Sequence, residues 1–255
     1  MLTDVDPRVT AQVNLEAVLG ALPLLASLVP EAENLLLPLT KPVTLRLVVR
    51  GGPRGSYTFD RSGIRPGPGG STAGLVFTSS GHFNRVIAGT AQPVPFGGPT
   101  GLRFLTGVFT PLSQILGRYL EPTADDLLDP GFRADSVRLT LRVALAAVAV
   151  IGNEDRSGRV SAGQMRDGRV DLEVGDDLRH QVWVRDHRLT FVEQPVEPPQ
   201  AALRFSDLDL AGEVFSGTTS AIAAVSDGRM SMRGVISMID NLNRILDRTG
   251  QYLGK

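Results

Sequence analysis

The stretch Asp227–Leu253, DGRMSMRGVISMIDNLNRILDRTGQYL, decides the fold. Met230 and Met232 alternate with Arg229, Ser231 and Arg233, the period of a half-buried strand. Gly234 breaks that pattern. Val235, Met238, Ile239, Leu242, Ile245, Leu246 and Thr249 then recur at helical spacing, with Ser237, Asp240, Asn241, Asn243, Arg244, Asp247 and Arg248 on the opposite face. A strand feeding an amphipathic helix needs an apolar layer beneath both. Gly101–Leu120, GLRFLTGVFTPLSQILGRYL, reads the same way, with a strand expected over Leu102–Thr106 and a helix capped by Thr110 and Pro111.

Working outward, the two halves share more. Ala201, Leu203 and Phe205 repeat the strand face Ala73, Leu75 and Phe77 at a spacing of 128 residues. Val214, Ser216, Gly217 and Thr218 repeat Val86, Ala88, Gly89 and Thr90 at the same spacing. So long a period points to duplication of a whole domain, since solenoid repeats are far shorter. The expected domains are residues 1–122 and 123–255, with Glu121–Gly131 as linker.

The remaining segments fall around these anchors. Ala11–Val29 reads as a helix divided at Pro23, which has no N–H to donate. Val43–Val49 and Ser56–Asp60 form a hairpin about a glycine-rich turn. Ile64–Ser71 and Pro93–Thr100 read as loops. Ser79 or Ser80 caps a short helix carrying Phe83, Val86 and Ile87. In the second half, Val137–Ile151 is an apolar helix, and Val170–Val174, Val182–Val184 and Leu189–Val192 are strands turning at Asp186-His187-Arg188. Order within a copy is helix, antiparallel strands, short helix, strand, helix: an α+β plan.

Composition narrows the function. With 255 residues and a net charge of −1, long-range attraction to nucleic acid or anionic membrane is not expected. Cysteine is absent, excluding disulfides and thiolate chemistry. The apolar runs Ala17–Pro30 and Val143–Ile151 read as too short or interrupted to span a membrane. A cytoplasmic protein is expected.

The segments ALRFSDLDLAGEVFSG and DGRMSMRGVISMIDNLNRIL resemble the sterol carrier protein 2 family of lipid-binding domains. Asp207, Asp209, Gly217, Gly228, Met230, Met232 and Gly234 fit that family's layout, and LVFTSSGHFNRVIAG carries it in the first half. The resemblance implies two tandem domains, each a mostly antiparallel sheet backed by helices around an apolar cavity that takes acyl chains, sterols or similar lipids. A tandem pair departs from the single-domain pattern, so one copy could be purely structural.

No catalytic motif, metal site or cofactor is expected. His82, His180 and His187 lack metal-ligand spacing and read as solvent-exposed. Asp207 and Asp209 read as helix caps. Asn153-Glu154-Asp155 with Gly158 lacks the alternating ligands of a calcium loop and reads as a turn. GGPRG and PGPGG lack the lysine of a phosphate-binding loop. Trp183 reads as core. The expected ligand-lining residues are Phe83, Phe104, Leu112 and Leu116 in the first copy, and Phe215, Met230, Met232, Met238 and Leu242 in the second. Binding or transfer of a hydrophobic small molecule is the leading function. The alternatives are an enzyme that cyclises or isomerises such a molecule by positioning, and an accessory subunit whose apolar faces pack on a partner.

Overall fold

The computed structural model describes residues 4–67, 72–176, 178–195 and 197–254. It divides into two compact units. One spans Asp6–Leu139; the other starts at Thr140 and takes Asp4 and Val5 with it. The division falls inside one long helix, α7 (Pro130–Glu154), rather than in the acidic, proline-containing stretch before it. That stretch folds as a short 3₁₀ turn, Asp126–Leu128, ahead of α7.

In the first unit, the helical run Pro7–Leu28 contains α1 (Pro7–Val13), a wide π turn (Asn14–Val18), a 3₁₀ turn (Leu19–Ala21) and α2 (Leu22–Leu28). Pro23 sits in the first turn of α2, where its missing N–H costs nothing, and the irregular turns lie just before it. Contrary to expectation, this run is long and apolar enough to cross a membrane, at mean hydropathy 1.4, but 67% of its most apolar window is buried inside the protein. Ala11, Val13, Leu22 and Leu25 are fully buried.

After α3 (Pro30–Asn34) come β1 (Val43–Val49), β2 (Arg54–Asp60), β3 (Gly63–Pro66), β4 (Ala73–Phe77), α4 (Ser80–Ile87) and β5 (Val94–Phe96). The sheet order is β3-β2-β1-β4-β5, antiparallel throughout except for the parallel pair β1–β4. Two expected loops are therefore corrected. Ile64, Arg65 and Pro66 lie in β3, with Ile64 paired to Phe59, and 68–71 of that loop lie outside the described residues. Val94–Phe96 is the fifth strand, although its Pro95 can donate no ladder bond. The expected strand Leu102–Thr106 is helical instead: α5 (Gly98–Phe104), a π turn (Leu105–Phe109) and α6 (Thr110–Leu120) run on without a break. The wide turn directly precedes Pro111, whose missing N–H an ordinary α-helical interior does not accommodate.

The second unit follows the same plan. After α7 and α8 (Arg156–Gly163) come β6 (Gly168–Val174), β7 (Leu178–Arg185), β8 (Arg188–Val192), β9 (Ala201–Phe205), α9 (Leu208–Phe215), α10 (Ala221–Ser226), β10 (Met230–Gly234) and α11 (Ile236–Tyr252). The sheet order is β8-β7-β6-β9-β10, again with one parallel pair, β6–β9. The β7–β8 turn places Asp186 and His187 at φ 50° and 60°. The expected turn at Asp155 is a helix start: Asp155 accepts from the N–H groups of Ser157 and Gly158, both at 2.9 Å.

The 128-residue spacing has a structural counterpart. Ser79 caps α4 by accepting from His82 N at 3.1 Å, and Asp207 caps α9 by accepting from Leu210 N at 2.8 Å. Both helices end on a left-handed glycine, Gly89 (φ 71°) and Gly217 (φ 76°). The N–H groups of Thr90 and Thr218 then close back on the carbonyls of Arg85 and Glu213, at 2.8 and 2.9 Å. Both fifth strands also lead into a glycine with no room for a side chain. A Cβ on Gly97 (φ 121°) would strike the Thr72 carbonyl, and one on Gly234 (φ 82°) the Gln200 carbonyl.

Candidate functional site

One face of each sheet carries the apolar side chains and the helices. In the second unit these include Val170, Leu172, Val174, Val182, Val184 and Leu189, all buried. A Cβ on Gly168 would lie 3.2 Å from Met238 Cε of α11, and one on Gly152 would lie 3.4 Å from Ile245 Cδ1, which places both helices on this face.

Residues directly opposite in a ladder share a face. The register therefore draws a row across the helix-covered side of the second sheet: Met232, Leu203, Leu172, His180. Three interstrand steps make it about 14 Å long. The equivalent row in the first sheet is Pro95, Leu75, Leu47, Gly55. Its last position is closed: Leu15 lies over Gly55, and a Cβ there would stand 3.0 Å from Leu15 Cδ1. Tyr57, one place along on the same face, donates to the Leu15 carbonyl at 2.9 Å and fixes that segment.

His180 departs from its reading as an exposed residue. It is only 4% exposed, because strand β7 begins at Leu178 and the period-two pattern carries His180 inward with Val182 and Val184. Its Nδ1 is 3.2 Å from the Glu193 carbonyl, and its ring meets Phe191 edge-on, with centroids 5.5 Å apart. Arg142 of α7 lies over the Phe191 ring at 5.6 Å and pairs with the Glu193 carboxylate at 3.1 Å. Burial pushes the imidazole pKa below its ordinary value, Arg142 adding to the effect and Glu193 opposing it. Nε2 is buried with no hydrogen-bond partner. Among the described residues, the buried side-chain polar atoms left unpaired are Arg169 Nε, His180 Nε2 and Asn241 Oδ1, all in the second unit.

Of the nine expected lining residues, Phe83, Phe104, Leu112, Leu116, Met230, Met238 and Leu242 are buried, and Phe215 is half-buried. Several pack on one another's aromatic neighbours: Phe83 on Phe77 (4.6 Å), Phe104 on Phe59 (5.0 Å), Phe215 on Phe205 (6.2 Å). Met232 departs from the expectation of an enclosed lining, being 42% exposed at the open edge of β10. Ile222 and Val225 of α10 and Ile236 at the start of α11 are also exposed, on elements that pack against β10. A groove of about 280 Å³ in the first unit is lined by Leu39, Thr40, Lys41, Pro42, Asp60, Arg61 and Ser62, and includes none of the nine.

The other polar clusters have structural partners. Trp183 is half-buried on the opposite face of the second sheet, not in the core. It donates to Gln181 Oε1 at 2.7 Å and stacks under Arg169. Asp171, fully buried on that face, binds Arg179 and accepts from Gln181 at 2.6 Å. Asp155 pairs with Arg248 at 3.2 Å and accepts from Tyr252 at 2.6 Å, tying α8 to the end of α11. Burial alone would raise the Asp155 pKa, but these hydrogen bonds and the Gly158 N–H hold it below the usual value. His82 is half-buried, bonded to Thr78 N and the Gln92 carbonyl.

No family model matches the chain, and no curated protein matches it. Among solved structures it is similar to a UbiJ-SCP2 ubiquinone synthesis protein, at 10% identity and a TM-score of 0.33 over 42% of this chain and 96% of that one. It is also similar to the sterol carrier protein domain 2 of Helicoverpa armigera, at 13% identity and a TM-score of 0.34 over 44% and 86%. A third is sterol carrier protein 2 like 2 from Aedes aegypti, at 14% identity and a TM-score of 0.29 over 42% and 95%.

Proposed function

We propose that this protein binds and hands on a hydrophobic small molecule, through two carrier-like domains that arose by duplication. The observation that carries the reading is a set of exposed apolar residues on adjoining elements of the second unit. Ile222, Val225, Met232 and Ile236 stand on α10, β10 and the first turn of α11, where an amphipathic helix meets the edge of its sheet. An apolar molecule entering there would leave water at about 0.8 kcal/mol per methylene, and methionine adapts to irregular apolar shapes. The ligand-lining set proposed for this unit remains Phe215, Met230, Met232, Met238 and Leu242. In the first unit it remains Phe83, Phe104, Leu112 and Leu116.

A cavity enzyme would want a buried carboxylate on the helix-covered face. Asp171 stands on the other face, and Asp155 is taken up by its cap, Arg248 and Tyr252. Delipidated protein titrated with fluorescent fatty acyl, sterol and polyprenyl probes tests the proposal: uptake of at least one is expected, and refusal of all three ends it.

A further inference from the structure

We propose that in the second unit His180 Nε2 anchors a hydrogen-bond-donating head group, a hydroxyl, at the inner end of the ligand site. The proposal rests on the binding function above and names the chemistry of its ligand.

The argument starts from the two equivalent rows. Where the first sheet places Gly55 under Leu15, the second places an imidazole. The first row is closed by the protein's own leucine, while the second ends in a polar atom with no partner. Leaving such an atom buried and unpaired is costly, so a partner is strongly favoured.

The tautomer fixes what that partner is. A backbone carbonyl only accepts, so Nδ1, facing the Glu193 carbonyl, must carry the proton. The neutral ring then presents Nε2 as a bare acceptor. A ligand head that donates satisfies it. An ether cannot donate, and a carboxylate brings only acceptors. The rest of the row, Leu172 and Leu203, lies buried beneath the helices and runs about 14 Å from His180 to the half-exposed Met232 at the sheet edge, the line along which an apolar tail would take the place of packed side-chain contact. The ligand class is therefore an apolar molecule ending in a hydroxyl, its tail toward the exposed residues Ile222, Val225 and Ile236.

Three pyrene-labelled probes with one tail and different ends, a primary alcohol, its methyl ether and the carboxylic acid, test this at neutral pH. The intact protein should bind the alcohol roughly tenfold more tightly than the ether, the size of one well-made hydrogen bond. His180→Phe should erase that preference while keeping ether affinity, and His180→Gln, which still offers an acceptor, should restore part of it. In ¹⁵N spectra the His180 Nε2 resonance should move on adding the alcohol and stay with the ether, a readout that needs no variant. Binding of all three probes with equal affinity, or an alcohol preference surviving His180→Phe, overturns the anchor. Refusal of all three overturns the binding function itself.

Discussion

The two units build one sheet order from different side chains, and they differ most where the rows end. In the first, Leu15 and Gly55 meet in van der Waals contact and Tyr57 locks the segment above. In the second, a histidine occupies the matching place and its outer nitrogen is unsatisfied. The difference extends to the last helix. In the first unit, the end of α6 is held by an ion pair between Arg118 and Asp126, with side chains 58% and 10% exposed. In the second, Arg248 and Asp155 pair with side chains only 7% and 4% exposed. A shared sheet order therefore does not mean shared energetics: one unit closes its interior with aliphatic packing, the other pins its helix with a buried charge.

The largest effect should come from that charge. Asp155→Ala strips the partner from a buried arginine and removes the cap of α8, and should cost the second unit about 3–5 kcal/mol in urea unfolding. Asp126→Ala, which frees the exposed Arg118 to water but also removes the acceptor of Thr123, should cost the first unit less. Near-equal losses would break the contrast. Next, Leu15→Ala should cost about 2–4 kcal/mol by opening a void over Gly55. It should also raise the first unit's uptake of an apolar probe; a stabilised protein with unchanged binding would show that Leu15 does not close the row. Gly234→Ala and Gly97→Ala should each destabilise their own unit by about 1–3 kcal/mol, because both force a side chain into left-handed backbone against a carbonyl. Inequality there would show that the fifth strands are not equivalent.

The smallest effect is a pH slope. The folded pKa of His180 lies below the unfolded 6.5, so above that pH both states are neutral and stability is full. Below it the unfolded chain takes up a proton that the buried ring refuses, and stability falls as pH drops towards the folded value. Arg142 and Glu193 are the charged groups facing the ring. His180→Phe should flatten this part of the urea-midpoint profile between pH 7 and 5.5. The Asp155 contribution behaves separately: it is full above 3.8 and is lost as pH falls through its lowered folded value.

Most strands were readable because their faces alternate cleanly, as in Val43, Leu45, Leu47 and Val49. The caps were readable because Ser79 and Asp207 have few other uses at such positions. The fifth strand of the first unit was not. Val94–Phe96 is three residues long with a proline in the middle, and its only ladder neighbour is β4. The glycine-flanked apolar run beyond it, GLRFLTGVF, copies a strand pattern, yet tertiary contacts through Phe104 and Phe109 on Phe59 make it helix. His180 escapes the sequence pattern because the alternation is clear only from Val182, four residues into its strand. Carried back to Leu178, the same alternation would have turned it inward. The pairing of Leu15 with Gly55 joins residues far apart in the chain, and no local pattern announces it.

The matched caps and left-handed glycines of α4 and α9 have a practical outcome. Because cap, helix and closing threonine keep one spacing in both halves, the segment Asp207–Thr218 is an interchangeable part. Grafted in place of Ser79–Thr90, it should seat with the same entry and exit geometry, provided that Phe83, which beds against Phe77, His82, which bonds Thr78 and Gln92, and Asn84, which bonds Asn14 and the Pro7 carbonyl, are carried over with it.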